Sequence, residues 1–387
     1  MIKILTAYTR EANNPEKAVQ EIQEQLNFEQ GLCRNSVALL FCYTEFVQSG
    51  AMEAVSKSLP CEVLGCTSQY FAIKEAVDEN MLVVNILTSD DTEFATGLSE
   101  PLDIGNVDAC IHTLYQKTAA ALDAEPALIF ALQPLMFSLS GDIIAAALDR
   151  ACGGLPVFGT RALDAEIQIR NPQTIYQGAA YDNRMTLLLF KGAVKARFFS
   201  VPFPARNVFD QDAVVTGAEG NNIITINNIP AISFLEDLGL IQNDLLNILY
   251  VIPLVVDYHN GAPPEIVLID NIVSGGALHC SRKVQTGVTL NIGSITADYV
   301  LESANALAQE IKKAGSETGL FIFSCFNRNV VLVGDPLEEA ELIQKALVGF
   351  SAPYLFMYSG GELCPQELES GKTVNRYHQF AIIACLL

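Results

Sequence analysis

Polar residues recur in this chain where continuous apolar runs end. Thr44 and Glu45 follow one run, and Cys66, Thr67 and Ser68 follow the next. Gln133, then Thr160 and Arg161, then Ser324 to Arg328, and finally Gly360 to Glu362 stand in corresponding places. These residue types suit the recognition of a small molecule. A guanidinium at Arg161 or Arg328 could grip a carboxylate through two parallel hydrogen bonds. Glu362, Glu45 or the nearby Asp164 could accept an ammonium group. The same groups could equally be internal ion pairs and loop caps, and their spacing does not choose between the two. Cys66 and Cys325 each adjoin a turn containing Gly or Ser. A thiolate there, stabilised by Arg161 or Arg328, would be a nucleophile, with His378 as a base if the fold brought it near. Against this, cysteines inside apolar runs pack as small hydrophobes.

The elements that must position these groups are legible as a module repeated three times. Its order is strand, polar loop, helix, proline, strand, glycine, polar residues. The first copy has a strand at Val37–Phe41, a helix at Ala51–Leu59, Pro60, a strand at Glu62–Leu64, then Gly65 to Ser68. The second has Ala127–Leu132, Asp142–Ala151, Pro156, Val157–Phe158, then Gly159 to Arg161. The third has Leu320–Ser324, Leu337–Phe350, Pro353, Tyr354–Tyr358, then Gly360 to Glu362. Uninterrupted apolar strands imply parallel pairs covered on both faces. Each proline stops its helix. Each glycine allows a sharp turn or a close approach of a ligand to the backbone. In sheets of this kind ligands bind beyond the carboxyl ends of the strands, where the polar set lies. The predicted fold class is therefore α/β (α+β), with βαβ units forming mixed sheets.

Before the first module, Ile2–Thr9 reads as a strand and Glu16–Leu26 as a helix. From about Arg197 to Ile295 the pattern changes. Short alternating or aliphatic runs at Phe198–Val201, Ala213–Val215, Ile223–Ile226, Ile266–Ile269 and Val288–Ile292 alternate with turn signals such as Asn221-Asn222, Asn260-Gly261, Pro263-Pro264 and Gly275-Gly276. Helices are expected at Ala231–Leu238 and Ala297–Lys313, and a terminal strand within Arg376–Leu387. This places a β-rich, antiparallel region in the middle and a boundary near residue 195, giving domains 1–195 and 196–387.

Composition narrows the function. The 387 residues carry 44 acidic against 23 basic side chains, a net charge of −21, which repels nucleic acid and anionic lipid. The apolar run Ile248 to Val256, broken by Pro253, is too short for the roughly 20 residues that span a bilayer. The first ten residues lack a signal-peptide core. Ten cysteines without a Cys-x-x-Cys pair fit free thiols in a cytoplasmic protein. No zinc, EF-hand, dinucleotide or nucleophile-elbow motif is present. Ser370-Gly371-Lys372-Thr373 resembles the end of a phosphate loop, but Gln366 replaces the required glycine and a strand-like segment follows. No cofactor or metal is expected.

Several segments resemble the FIST family. Ser324-Cys325-Phe326-Asn327-Arg328 is similar to the Ser-Cys-x-Gly-Arg motif of its C-terminal domain, with Asn327 in the place of glycine. Tyr358 with Gly361-Glu362-Leu363 resembles its Tyr-x-Gly-Glu-Ile motif, with one extra residue. Gly220-Asn221 through Pro230-Ala231 fit that domain's opening strands and helix. Leu64 to Ser68 resembles the Gly-Cys-Thr-Thr segment of the N-terminal domain, and Pro156 to Asp164 its Pro-x-x-Gly-Gly…Asp segment, with Thr160 for the second glycine. The resemblance runs from about residue 35 to 365. It implies a sensory module of signal transduction that binds small ligands such as amino acids, rather than an enzyme, and that acts through a separate output protein. The implied ligand site is Cys66, Thr67, Ser68, Gly159, Thr160, Arg161, Asp164, Ser324, Cys325, Asn327, Arg328, Tyr358, Gly361 and Glu362, with Arg328 as the anion anchor and Glu362 as the acceptor. A cysteine-dependent enzyme and an oligomerisation scaffold are the alternatives.

Overall fold

The computed structural model describes residues 2–26, 28–164, 171–201, 203, 205–241, 252–259, 264–315, 318–367 and 373–387. The phosphate-loop-like segment at 370–373, the apolar run 248–256 and the turn signals at 260–264 lie wholly or partly outside these residues.

The three modules become three six-stranded sheets of the same plan. Each is centred on a parallel pair: Asn35–Cys42 with Glu62–Thr67, Leu128–Gln133 with Val157–Arg161, and Leu320–Cys325 with Tyr354–Ser359. On one side of each pair runs an antiparallel strand, Leu82–Ser89, Thr186–Lys191 or Ile382–Leu386. On the other side lies a hairpin, and the three hairpins are exchanged. Phe71–Ile73 leaves the first pair and joins the third sheet. Thr174–Tyr176 leaves the second and joins the first. Glu362–Glu367 leaves the third and joins the second. Backbone bonds close the three crossings: Tyr358 N donates to Gln69 O, Leu163 N to Thr67 O, and Arg161 N to Gly361 O. The polar set at the strand ends therefore sits at these crossings.

Burial explains the plan. The inner faces of the three sheets share one core. Phe158 stacks on Phe323 at 5.0 Å between ring centroids, Phe130 meets Phe321 edge-on at 5.4 Å, and Phe41 meets Phe323 at 6.2 Å. Each outer face is covered by helices that bury one apolar stripe. Pro15–Leu26 and Ala51–Ser58 cover the first sheet, Val107–Ala119 and Gly141–Cys152 the second, and Ala297–Ala314 with Glu338–Ala346 the third. Both faces of the central strands are thus dry, which is why their sequences are apolar without alternation.

The chain leaves the second sheet after Lys191 and enters the third at Arg197. The β-rich middle is an antiparallel sheet built from Val208–Glu219, Asn222–Ile226, Leu254–Asp257, Ile269–Val273, Ala277–Cys280 and Thr289–Gly293, among others, with its own core around Val215, Ile226, Leu254 and Leu290. It packs beside the crossing of the second and third sheets. The expected C-terminal strand is two strands, Thr373–His378 in the second sheet and Ile382–Leu386 in the third. Gln379 and Phe380 turn between them, with Phe380 at φ 53°.

Two glycines differ from their expected role. Gly65 and Gly159 lie inside strands, not after them. A Cβ at Gly65 would stand 1.6 Å from the Leu40 carbonyl oxygen, and one at Gly159 would stand 2.0 Å from that of Ala131. The close neighbour that demands glycine is the adjoining strand, not a ligand.

Candidate functional site

A cavity of about 110 Å³ opens where the second and third sheets cross and the β-rich region leans on them. A single water needs only about 10–15 Å³ on this scale, so the space suits a small organic molecule. The second sheet supplies Arg161 and Tyr377, with Leu135, Met136, Phe137 and Ser140 from the loop after Gln133. The third module supplies Cys325, Asn327, Ser359, Gly360 and Gly361. The β-rich region supplies Asn221, Leu268, Asp270 and Ser281.

Arg161 dominates the electrostatics. It is 7% exposed, and among the described residues no carboxylate lies within ion-pairing distance. Its Nε donates to Pro134 O (3.2 Å), Nη2 to Met136 O (3.3 Å) and Leu139 O (3.2 Å), and Nη1 to Tyr377 Oη (3.4 Å). With five N–H donors, one Nη1 hydrogen is left uncommitted. The guanidinium thus straps the 134–139 loop while keeping its charge unneutralised. Half-buried Asp270 also lines the cavity; burial pushes its carboxyl up to about 7, with Arg161 pulling it part of the way back.

Tyr377 is seated by two glycines. A Cβ at Gly141 would meet its ring at 2.4 Å, and one at Gly361, whose φ is 146°, would meet its hydroxyl at 2.0 Å. Arg282 lies over the same ring, 5.7 Å from the centroid. Gly361 is therefore required by Tyr377 and by its own backbone.

Of the residues expected at the site, Arg161, Cys325, Asn327 and Gly361 line this cavity. The others lie in the packed crossings. Cys66 is buried among apolar side chains. Thr67 exchanges hydrogen bonds with the Gln173 backbone, Ser68 Oγ donates to Tyr358 O (2.5 Å), and Thr160 Oγ1 donates to Ser359 Oγ (2.7 Å). Asp164 Oδ2 accepts from Asn171 N (2.5 Å). Glu362 is fully buried beneath the cavity floor. Burial drives its carboxyl strongly towards the neutral form, offset in part by Ser359, Arg328 and Cys325, and neither oxygen makes a hydrogen bond among the described residues.

A profile of the FIST N domain matches residues 36–229, and one of the FIST C domain matches residues 233–365. The chain belongs to the FIST family. FIST domains are in general sensory domains of signal transduction. No curated protein matches this FIST chain. Among solved structures, a cyanuric acid hydrolase described as an evolutionary innovation by structural concatenation is similar at 7% identity and a TM-score of 0.35. Another from A. caulinodans is similar at 8% and 0.35. Each alignment covers 100% of this chain and 99% of the other. Likeness at that distance carries no argument about chemistry.

The FIST C motif residues Ser324, Arg328 and Tyr358 converge on one buried carboxylate, Glu339. Arg328 and Glu339 are both fully buried and pair at 2.7 Å. Arg328 Nη2 also donates to Val300 O (3.0 Å) and Ser303 Oγ (2.8 Å), and Nε to Ser324 Oγ (3.1 Å). Ser324 Oγ and Tyr358 Oη donate to Glu339 Oε2 at 3.0 and 2.8 Å. Arg328 therefore does not reach the cavity. Its charge is spent joining helix Ala297–Ala314, the turn after strand Leu320–Cys325 and helix Glu338–Ala346.

The thiols are equally plain. Burial pushes Cys66 and Cys325 far above the ordinary cysteine range. Half-buried His378, driven down to about 4 by desolvation, stays neutral. A raised thiol disfavours the thiolate that nucleophilic catalysis requires. Ser140, Asp270 and Tyr377 also line the cavity and are not among the residues that the sequence pattern places there. Ser140 was signalled by its place before Gly141-Asp142 at a helix start, whereas Asp270 and Tyr377 reach the cavity only through tertiary pairing.

Proposed function

We propose that this FIST chain is a small-molecule-binding sensory protein whose ligand, an amino acid or a related metabolite, occupies the cavity between the second and third sheets and the β-rich region. The observation that carries this reading is Arg161: a buried guanidinium with no carboxylate within ion-pairing distance among the described residues, lining a small cavity that Asp270 also lines. Burying such a charge is costly, and a ligand of complementary charge offsets that cost.

The same guanidinium holds three carbonyls of the 134–139 loop. That loop carries Phe137, which is 62% exposed. A ligand that draws on Arg161 alters the hold on the loop, and a separate output protein reads the change. The cysteines of the chain are all free, in keeping with a reducing cytoplasm.

A thermal-shift screen of the purified protein against amino acids, organic acids, nucleotides and divalent metals tests the reading. Ligand at about 100 times its dissociation constant adds about 2.7 kcal/mol of stability. Stabilisation by small zwitterions or acids supports it. Stabilisation by nucleotides or metals alone would overturn it.

A further inference from the structure

We propose that the Ser140 end of the cavity is a carboxylate subsite, formed by the N-terminus of helix Gly141–Cys152, the Ser140 hydroxyl and the Arg161 guanidinium. The inference rests on the reading of the cavity as the ligand site and names the chemistry of one end of it.

Three observations converge there. The helix has 12 residues, and Ser140 at its N-cap makes no side-chain cap. Its first N–H groups therefore have no partner from that side chain, and the partial positive charge of the helix end is uncancelled by it. Ser140 is 8% exposed, lines the cavity, and its Oγ has no hydrogen-bond partner among the described residues. A buried hydroxyl without a partner is costly unless something that is absent here supplies one. Arg161 stands beside it, because its Nη2 bonds the carbonyl of Leu139, the residue before Ser140. Tyr377 completes the contact, with its ring against Gly141 and its hydroxyl on Arg161.

Helix N–H groups, a hydroxyl and a guanidinium are all donors, so the occupant is an anion. Its charge is limited. Asp142 in the first helical turn already places one acid against the helix end. One guanidinium and about half a positive charge from the helix, less that acid, suit a monoanion and disfavour a phosphate dianion. The adjoining walls are apolar at Leu135, Phe137, Phe326 and Val330. The ligand class is thus a small carboxylate with an apolar body.

The test is isothermal titration of the full chain with benzoate and butyrate, their amides benzamide and butyramide, and inorganic phosphate. Carboxylates are expected to bind about tenfold or more tighter than their amides, as for a hydrogen bond to a charged group. Ser140→Ala is expected to remove about tenfold from the carboxylates and only about two- to threefold from the amides, whose neutral carbonyl accepts a weaker bond. Ser140→Gly, well tolerated at an N-cap, repeats the comparison if the alanine variant is unstable. Asp142→Asn is expected to tighten the carboxylates about two- to fivefold, which a merely structural role would not do. Equal binding of acids and amides, or phosphate binding tighter than benzoate, would overturn the subsite and leave the cavity reading intact. Binding of none of these probes would likewise overturn the subsite, and the thermal-shift screen with amino acids would then decide the cavity reading separately.

Discussion

Replacing Arg328 should destabilise the third sheet rather than empty the ligand site. In Arg328→Met the Glu339 carboxylate stays fully buried with only Ser324 Oγ and Tyr358 Oη donating to it. Ser303 Oγ and the Val300 carbonyl lose their donor as well. Removing one member of a buried ion pair costs about 3–5 kcal/mol, because the remaining charge is uncompensated. Neutralising the partner removes that charge, so Arg328→Met/Glu339→Gln should recover about 2 kcal/mol of the loss. Urea unfolding followed by circular dichroism measures both, and the two variants should differ in midpoint in that order. Below the transition, Arg328→Met should bind ligand as the wild type does. A variant of wild-type stability that had lost ligand binding would refute the reasoning and return Arg328 to the role of anion anchor.

Three further outcomes follow from the same geometry. Gly159→Ala places a Cβ 2.0 Å from the Ala131 carbonyl oxygen. It should cost about 3 kcal/mol or more by urea unfolding, whereas Gly153→Ala, with no atom within 4 Å of its Cβ and φ 65°, should cost about 1 kcal/mol. In thiol labelling near neutral pH, the partly exposed Cys33, Cys61 and Cys110 should react first, while Cys66 and Cys325 react only as fast as the protein opens. Asp270 titrates near 7 in the folded protein and near 3.9 unfolded. Its folded form holds the proton longer, so between about pH 4 and 7 it makes stability fall as pH rises, after which the loss is constant. Asp270→Asn should therefore gain stability over the wild type from pH 5 to pH 8 in parallel thermal melts. A constant difference would contradict the burial of that carboxyl.

Much of the fold was legible because local signals and burial agree. Pro60, Pro156 and Pro353 stand between a helix and the strand that follows, and apolar runs such as Val37–Phe41 are strands buried on both faces, so the three modules stand where the pattern puts them, although the third helix stops at Ala346, short of the expected Phe350. The change of pattern near Arg197 marks a change of sheet. The exchange of hairpins was not legible. Phe71–Ile73 pairs with a strand more than 280 residues away, and nothing local to it names that partner. Sequence alone offers Arg328 as a ligand anchor because its counter-charge, Glu339, lies on a separate helix that only packing brings close. Glu362 shows the same limit from the other side. Its motif is visible, but its burial beneath the cavity is set by the crossing of the second and third sheets. Arg161, Cys325, Asn327 and Gly361 line the cavity because the ends of the parallel strands open on the space that the crossing leaves.

The most direct measurement fills the cavity. Val330 lines it from the third module, half-buried and packed against the third sheet's core, so Val330→Trp puts a ring into the space at a cost of about 1–3 kcal/mol. Small acids or amino acids that bind the wild type by isothermal titration should lose binding to Val330→Trp at a temperature where circular dichroism shows the variant folded. The same compounds binding the filled protein with wild-type affinity would contradict the placement of the ligand in this cavity.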